Sequence, residues 1–400
     1  MPCRRTFLRS LSAAAAVRPA IAAAQAGDPL GVHAEFPVAT RRTYLNAAYI
    51  APVPRAVAAA GCRFVDAKAE QPIALGEMQA HADGVRAAYA TLIGAGADEI
   101  AFLYATSEGE NIVARGLGLA AGDNVVVDAL HYNTSFVLYR ELERTAGITL
   151  RIVPARDGAV HIEDVARAVD RRTRLVSVAW VSHQNGFRHE LPPLADLAHA
   201  HGAYLYVDAV QAVGMLPIDV VAAGVDFMAS GTYKWLLGSF GVAPFYIRRA
   251  LIDRIPLDRF GALHVERELG DHRYAIHRSA KRFDYATPAF GPIYQLGAAL
   301  EFLGRVGVAP IERHTVALAD RLNRGLRDRG ARVLTPSGNR SAIVSFAVEP
   351  AREAARQFTA AGIDVTVRDA GRMVRVSPAL YNTEADIDRF LEVAGPLVRG

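Results

Sequence analysis

Lys234 stands in "SGTYKWLLGSFG", residues 230–241, between Tyr233 and Trp235 and ahead of an apolar run. Burying an ammonium there is costly unless the amine sheds its proton or finds a partner. Three other apolar runs also end on polar groups. "YLYVDAVQ" closes on Asp208 and then Gln211, "FLYATSEGEN" on Thr106, Ser107 and Gly109, and "NVVVDALHYN" on His131 and Tyr132.

Each of these residue types suits one part of the same chemistry. A partly buried lysine has a lowered pKa, so its neutral amine can attack an aldehyde and later carry a proton. A carboxylate at a strand end can keep a pyridine nitrogen protonated. Free N–H groups at a small-residue helix start can hold a phosphate, and an aromatic side chain offers a face for stacking. The combination meets the requirements of pyridoxal phosphate. Lys234 would form the Schiff base and Asp208 would sit on the ring nitrogen, making the ring an electron sink for a carbanion at the substrate α-carbon. Gln211 would donate to the ring hydroxyl, the helix opening near Ser107 would meet the phosphate, and Tyr132 would stack on the ring. The set calls for no metal. Singly, each residue has an ordinary structural reading: a surface lysine, a strand-end aspartate capping a helix, an N-cap hydroxyl, a packing tyrosine. The inference rests on their joint order and spacing.

These residues need a scaffold, and the chain supplies alternating β-type and α-type segments. Apolar runs at 99–105, 124–129, 149–155, 174–181, 204–209, 226–230 and 242–247 are separated by helical stretches such as "LPPLADLAHAHGA". Near-continuous apolar strands with intervening helices predict an α/β fold, a mostly parallel seven-stranded sheet sandwiched by helices. In such sheets ligands bind beyond the carboxyl ends of the strands, where the polar residues above fall. From about residue 295 a long helical stretch leads to "ARVLTP", "SAIVSFAVE", the helical "AREAARQFTAAG", "DVTVRD", "MVRVSP" and a closing helix from Thr383. That predicts a smaller α+β domain over 295–400, after a large cofactor-binding domain over 53–294 and an N-terminal arm over 27–52.

The first 26 residues are set apart. They carry Arg4 and Arg5, then Phe7 and Leu8, an alanine-rich stretch, and Ala24-Gln25-Ala26 ahead of Gly27. This resembles a twin-arginine export signal with a small-x-small cleavage site, although Arg18-Pro19 interrupts its apolar region. The expectation is a periplasmic or exported protein; the alternative is a cytoplasmic one whose alanine-rich terminus stays attached. The leader contains four arginines and no acids, so its removal takes the formal charge of +4 to zero. A neutral mature chain has no basic field for nucleic acid or an anionic membrane. No apolar stretch reaches the roughly 18 residues needed to span a bilayer. Of the two cysteines, Cys3 lies in the leader. Cys62, in the helical-looking "AVAAAGCRFVDA", is expected to be a small buried thiol.

With these motifs in place, "YLYVDAVQAVG" followed by "DFMASGTYKWLLG" resembles the class V aminotransferases of fold type I, a group that includes cysteine desulfurases, kynureninases and isopenicillin N epimerase-like proteins. The resemblance extends over nearly all of the mature chain, through "YLNAAYIAPVP", "ATSEGENIVA", "GDNVVV", "FDYATPAFGPIYQLGAALEFL" and "VRVSPALYNTEADIDRFL". It implies Lys234 as the Schiff-base lysine, Asp208 and Gln211 on the ring nitrogen and hydroxyl, and Tyr132 stacked on the ring. Thr106 or Ser107, Ser230 and Tyr233 would hold the phosphate, and Thr287 would reach the phosphate of the neighbouring subunit of a homodimer. Arg375 matches the arginine that grips the substrate carboxylate, a task suited to its planar fork. Arg368 and Arg372 are close enough in sequence to help it, and Asn46 falls in a loop that borders the substrate in relatives.

Departures narrow the activity. Desulfurases need a nucleophilic cysteine in the last third of the chain, and this chain has none beyond residue 62, which argues against a protein persulfide. Gly231 and Tyr233 stand where desulfurases carry serine and histidine. In "WVSHQNGF", His183 replaces the asparagine that often contacts the cofactor; it would serve that contact or be a satisfied polar residue under the sheet. The expected substrate is an amino acid. Transamination is the first reading, and epimerisation or C–S/β-lyase chemistry the alternative. A non-catalytic exported binding protein is disfavoured because lysine, aspartate and arginine are all present. A dinucleotide-dependent oxidoreductase is disfavoured because "RGLGLAAG" has the wrong spacing for the Gly-rich fingerprint and lies inside a helical stretch.

Overall fold

The computed structural model describes residues 28–368 and 371–398. Residues 1–26, read above as an export signal, lie outside them. After a 3-10 turn at His33–Glu35 come a short strand, β1 (Thr43–Tyr44), and helices α1 (Arg55–Glu70) and α2 (Leu75–Ile93). Alternation then begins with β2 (Ile100–Leu103), α3 (Thr106–Gly116), β3 (Asn124–Asp128), α4 (Asn133–Ala146), β4 (Thr149–Val153) and α5 (Ile162–Ala168). It continues with β5 (Thr173–Ala179), α6 (Leu191–Ala200), β6 (Tyr204–Asp208), β7 (Phe227–Ala229) and β8 (Ala243–Ile247).

The seven apolar runs of the sequence become β2 to β8 of one sheet, ordered β2-β8-β7-β6-β5-β3-β4. β8 is antiparallel to both of its neighbours, and the remaining pairs run parallel. The apolar residues within these strands need no polar partner because both sheet faces are covered. Along β6, Leu205 and Val207 face one core while Tyr206 faces the other, as the two-residue period of a strand requires. The register sets Asp208 level with Ala179 of β5 and Ala229 of β7, so three strands end together at one edge.

A hairpin, β9 (Val265–Gly270) and β10 (Arg273–Ile276), then two long helices, α7 (Phe290–Val306) and α8 (Val308–Asp328), lead to a second sheet. Its strands are β11 (Arg332–Val333), β12 (Val344–Ala347), β14 (Thr366–Arg368) and β15 (Met373–Val376), with α9 (Ala351–Ala360) and the short β13 (Ile363–Asp364) between β12 and β14. α10 (Glu384–Leu397) closes the chain and is N-capped by Thr383, whose hydroxyl accepts from Asp386 N. Leu322, Phe346, Val374 and Phe390 form the core between this sheet and its helices.

Two elements were not expected from the sequence. The β9–β10 hairpin is exposed along most of its length, so its side chains carry little apolar signal. β1 pairs in parallel with β13, joining the start of the described chain to its C-terminal part. One expectation is corrected. Cys62 is exposed, because α1 buries Val57 and Ala60 and position 62 turns to the other side of that helix.

Candidate active site

The loop after β7 carries Lys234 and is held from several sides. Thr232 donates its hydroxyl to the carbonyls of Ser239 and Val242 and accepts Gly238 N–H at its own carbonyl. Leu237 N–H returns to Lys234 O at 2.8 Å, with Leu237 in the left-handed region at φ 57°. The Trp235 indole donates to Gln211 Oε1 at 2.7 Å. Gly214, at φ 92°, lets the chain after β6 lie against this loop, since a Cβ there would stand 2.3 Å from Trp235 O. The aromatic and aliphatic neighbours of Lys234 are thus its anchors, which is why an ammonium sits among them.

Lys234 is 7% exposed and lines one pocket with Asp208, Thr106, Tyr132, His183, Gln211 and Tyr233. Burial, and then the charge of Arg375, push the lysine down to about 7, against the pull of Asp208. Amine availability therefore changes near neutrality. Capture of pyridoxal phosphate by the cofactor-free protein is expected to speed up ~10-fold per pH unit below pH 7 and level off above it. Stopped-flow absorbance of the imine band would measure this, and a rise continuing to pH 10 would refute the lowered value.

Asp208 ends β6, and its Oδ1 accepts from Val210 N at 2.9 Å, which fixes the carboxylate at the strand tip. Thr106 opens α3 and lines the pocket. α3 sits tightly on the sheet, because a Cβ on Gly109 would come 2.9 Å from a Phe245 ring carbon and 3.2 Å from Ala229 Cβ. Tyr132 borders the pocket at the start of α4 and meets His183 edge-on, ring centroids 4.9 Å apart. His183 is buried, and its Nδ1 has no partner among the described residues. Burial and the nearby arginines push it down to about 2, so it is a neutral hydrogen-bonding group at working pH rather than an acid. Of its two sequence readings, the satisfied polar residue does not fit this Nδ1.

Arg375 lies on β15 and is fully buried. Its Nη1 donates to His183 O at 2.6 Å, while Nε and Nη2 have no partner among the described residues. Burial, then the charge of Arg368, push Arg375 down to about 9. A buried guanidinium without a carboxylate is costly and is satisfied by an incoming anion.

Other expected residues stand differently. Gln211 lines the pocket, but its Nε2 donates to Ala48 O and its Oε1 accepts from Trp235, leaving one N–H for a ligand. Ser230 is fully buried behind the pocket, and its hydroxyl is bonded to Tyr89 Oη at 2.7 Å. Ser107, half-buried, follows Thr106 but is not among the pocket's lining residues. Asn46 accepts the Thr366 hydroxyl at its side-chain oxygen. Arg372 is exposed, whereas Arg368 has a buried Nε without a partner. Thr287 is exposed and lies in a separate depression with Tyr104, Glu108 and Tyr285.

A buried polar cluster behind Tyr132 was missed. The Tyr132 N–H donates to His131 Nδ1 at 2.7 Å, which leaves the ring proton on Nε2 to face Ser177 Oγ at 3.0 Å. Ser177 and Ser135 each donate to the Glu110 carboxylate. A serine within the apolar "RLVSVAWV" and a glutamate on the inner face of a helix were the available signals.

A near-neutral lysine, a strand-tip carboxylate, a helix start and an aromatic face share one edge of an α/β sheet. Unpartnered hydrogen-bonding atoms on His183 and Arg375 await a ligand, so the residues present fit pyridoxal phosphate and a carboxylate-bearing substrate. These features define a fold type I pyridoxal phosphate enzyme. Residues 43–390 match the aminotransferase class-V family, and the chain belongs to that family. It is similar to a cysteine desulfurase of Klebsiella pneumoniae, 30% identical over 390 residues that cover 90% of this chain and 96% of the relative. An uncharacterized aminotransferase of Bacillus subtilis is 29% identical over 306 residues, 76% of this chain and 80% of that one. Among solved structures, the apo cysteine desulfurase of Thermococcus onnurineus NA1 is similar at a TM-score of 0.85 and 25% identity, covering 93% of this chain and 98% of that one.

Proposed function

We propose that this enzyme takes an α-amino acid bearing sulfur at its β-carbon and breaks the carbon–sulfur bond without a protein persulfide. The observation that carries the substrate class is Arg375, a buried guanidinium with two unpartnered nitrogens and no carboxylate partner among the described residues. The sulfur chemistry is supported by the desulfurase relatives. Against a persulfide stands the cysteine content, since Cys62 is the last cysteine of the chain and is exposed on α1.

When bound, pyridoxal phosphate supplies the electron sink for charge developing at the substrate α-carbon. Arg375 would orient the substrate through its carboxylate, and Lys234 Nζ, neutral near pH 7, would take the α-proton. Asp208 would hold the proton on the ring nitrogen, Thr106 and the N–H groups of its turn would hold the phosphate, and Tyr132 and His183 would wall the ring. In the net reaction, water is consumed and the S-substituted cysteine yields a thiol, pyruvate and ammonium.

Incubating the holoenzyme with S-substituted cysteines should release thiol, pyruvate and ammonium in equal amounts with the cofactor unchanged. Transamination is the second reading, favoured by the Bacillus relative. It would show as stoichiometric conversion of the cofactor to its amine form with no thiol released, and epimerisation as α-proton exchange with no net consumption. We also propose a homodimer in which Thr287 reaches the neighbouring phosphate. This is supported by the exposed Tyr104 and Tyr285 beside Thr287, an apolar surface suited to a partner. A monomeric mass in sedimentation would remove that part.

A further inference from the structure

A second cleft opens beside the cofactor pocket and shares His183 with it. Its lining includes Arg327, Arg332, Arg368, Met373 and Asp157, so cationic groups outnumber acidic ones along it. Arg327 donates to Asn323 Oδ1 and to Thr335 O, neither of which is charged. Arg332 and Arg368 make no ion pair among the described residues, in a protein whose surface arginines are widely paired with carboxylates. Arg368 is partly buried, and its Nε is fully enclosed without a partner.

Strand register relates this cleft to Arg375. In the antiparallel pair β14–β15, Arg375 stands opposite Thr366 and Met373 opposite Arg368. Arg368 is therefore the diagonal neighbour of Arg375 on the same sheet face, with Cα atoms roughly 7–8 Å apart. Two guanidiniums at that spacing, both lacking a carboxylate, repel each other. The fold accepts that repulsion on the face whose Arg368 and Met373 line the cleft. One substrate carboxylate satisfies Arg375, and the second cation and the basic cleft behind it stay unmatched.

We propose that Arg368 is a specificity-determining residue that binds a second anionic group on the substrate, so that the preferred amino acids carry a carboxylate or similar anion beyond their β-carbon. This inference rests on the reading of Arg375 as the α-carboxylate site. It extends that reading into the neighbouring cleft, where Arg332 and Arg327 extend the positive field to solvent.

The test compares near-isosteric substrates and ligands on the holoenzyme. Exchange of the α-proton in deuterated water, followed by NMR, should favour glutamate over glutamine by about 10- to 100-fold, the range of a charged hydrogen bond. In Arg368→Gln that ratio should collapse toward one. Calorimetry should show glutarate binding more tightly than butyrate, by a margin that Arg368→Gln removes. If wild type does not favour glutamate, or if Arg368→Gln slows both amino acids by the same factor, Arg368 does not read a second anion and the inference falls while the amino acid reading stands. If no amino acid exchanges its proton yet glutarate still binds in an Arg368-dependent way, the reaction reading falls and the anion site stands. Glutarate binding no more tightly than butyrate overturns the inference whatever the exchange data show.

Discussion

Lys234→Met is expected to abolish the borohydride-reducible link to pyridoxal phosphate and to lower turnover by at least ~10³-fold, since it removes both the covalent anchor and the proton carrier. The same substitution should stabilise the cofactor-free protein. The folded lysine titrates at about 7 against an ordinary 10.5, with burial as the main cause. Between those values the unfolded chain holds the extra proton, so wild-type stability rises with pH across that window. Below pH 7 the full penalty stands. Methionine carries no such penalty, so its advantage should be largest at pH 6, about 5 kcal/mol from the shift alone, and should fade toward pH 10.5. Urea denaturation of both cofactor-free proteins at pH 6, 8 and 10 measures this. An equal difference at all three pH values would mean that burial of the charged amine is not the cost at this position.

Arg375→Met should separate binding from chemistry. Losing a charged, two-pronged contact to the substrate carboxylate is expected to lower kcat/KM for an amino acid by about 100-fold or more, while the corresponding amine without a carboxylate loses far less. Arg375→Lys should restore little, because a single ammonium cannot reproduce the planar fork that His183 O already aligns through Nη1. If the carboxylate-free amine suffers as much as the amino acid, Arg375 is structural. The methionine variant should also be more stable without substrate, because it removes an unpartnered buried cation, at the cost of the hydrogen bond to His183 O.

The large sheet was legible because parallel strands buried on both faces spell out apolar runs, and each of the seven runs became a strand. The convergence of Lys234, Asp208, Thr106, Tyr132 and Gln211 on one pocket followed from their places just past strand ends. The support behind them was less legible. That Trp235 would clamp Gln211, that Ser230 would face Tyr89, or that His131 would back Tyr132 depends on contacts between residues distant in sequence. Arg372 and Arg368 could not be told apart by spacing. The strand places Arg368 on the inner face, while Arg372 precedes β15 and is exposed. Cys62 was misread because its helix is amphipathic and one residue's exposure depends on which face packs.

Residues 43–51 form a splice between the C-terminal part of the chain and the loops beyond β6 and β7 of the seven-stranded sheet. Thr43 and Tyr44 pair with Ile363 and Asp364, Ala48 N donates to Ser377 Oγ, Gln211 Nε2 donates to Ala48 O, and Ala51 N donates to Tyr233 O, the carbonyl just before Lys234. The Asn46–Thr366 contact within it spans 320 positions of sequence. During synthesis, then, the lysine's surroundings stay incomplete until Ser377 has left the ribosome. Assembly of the lysine's surroundings therefore waits for residues 363–377, and any step that holds that segment back also holds back the birth of a working site.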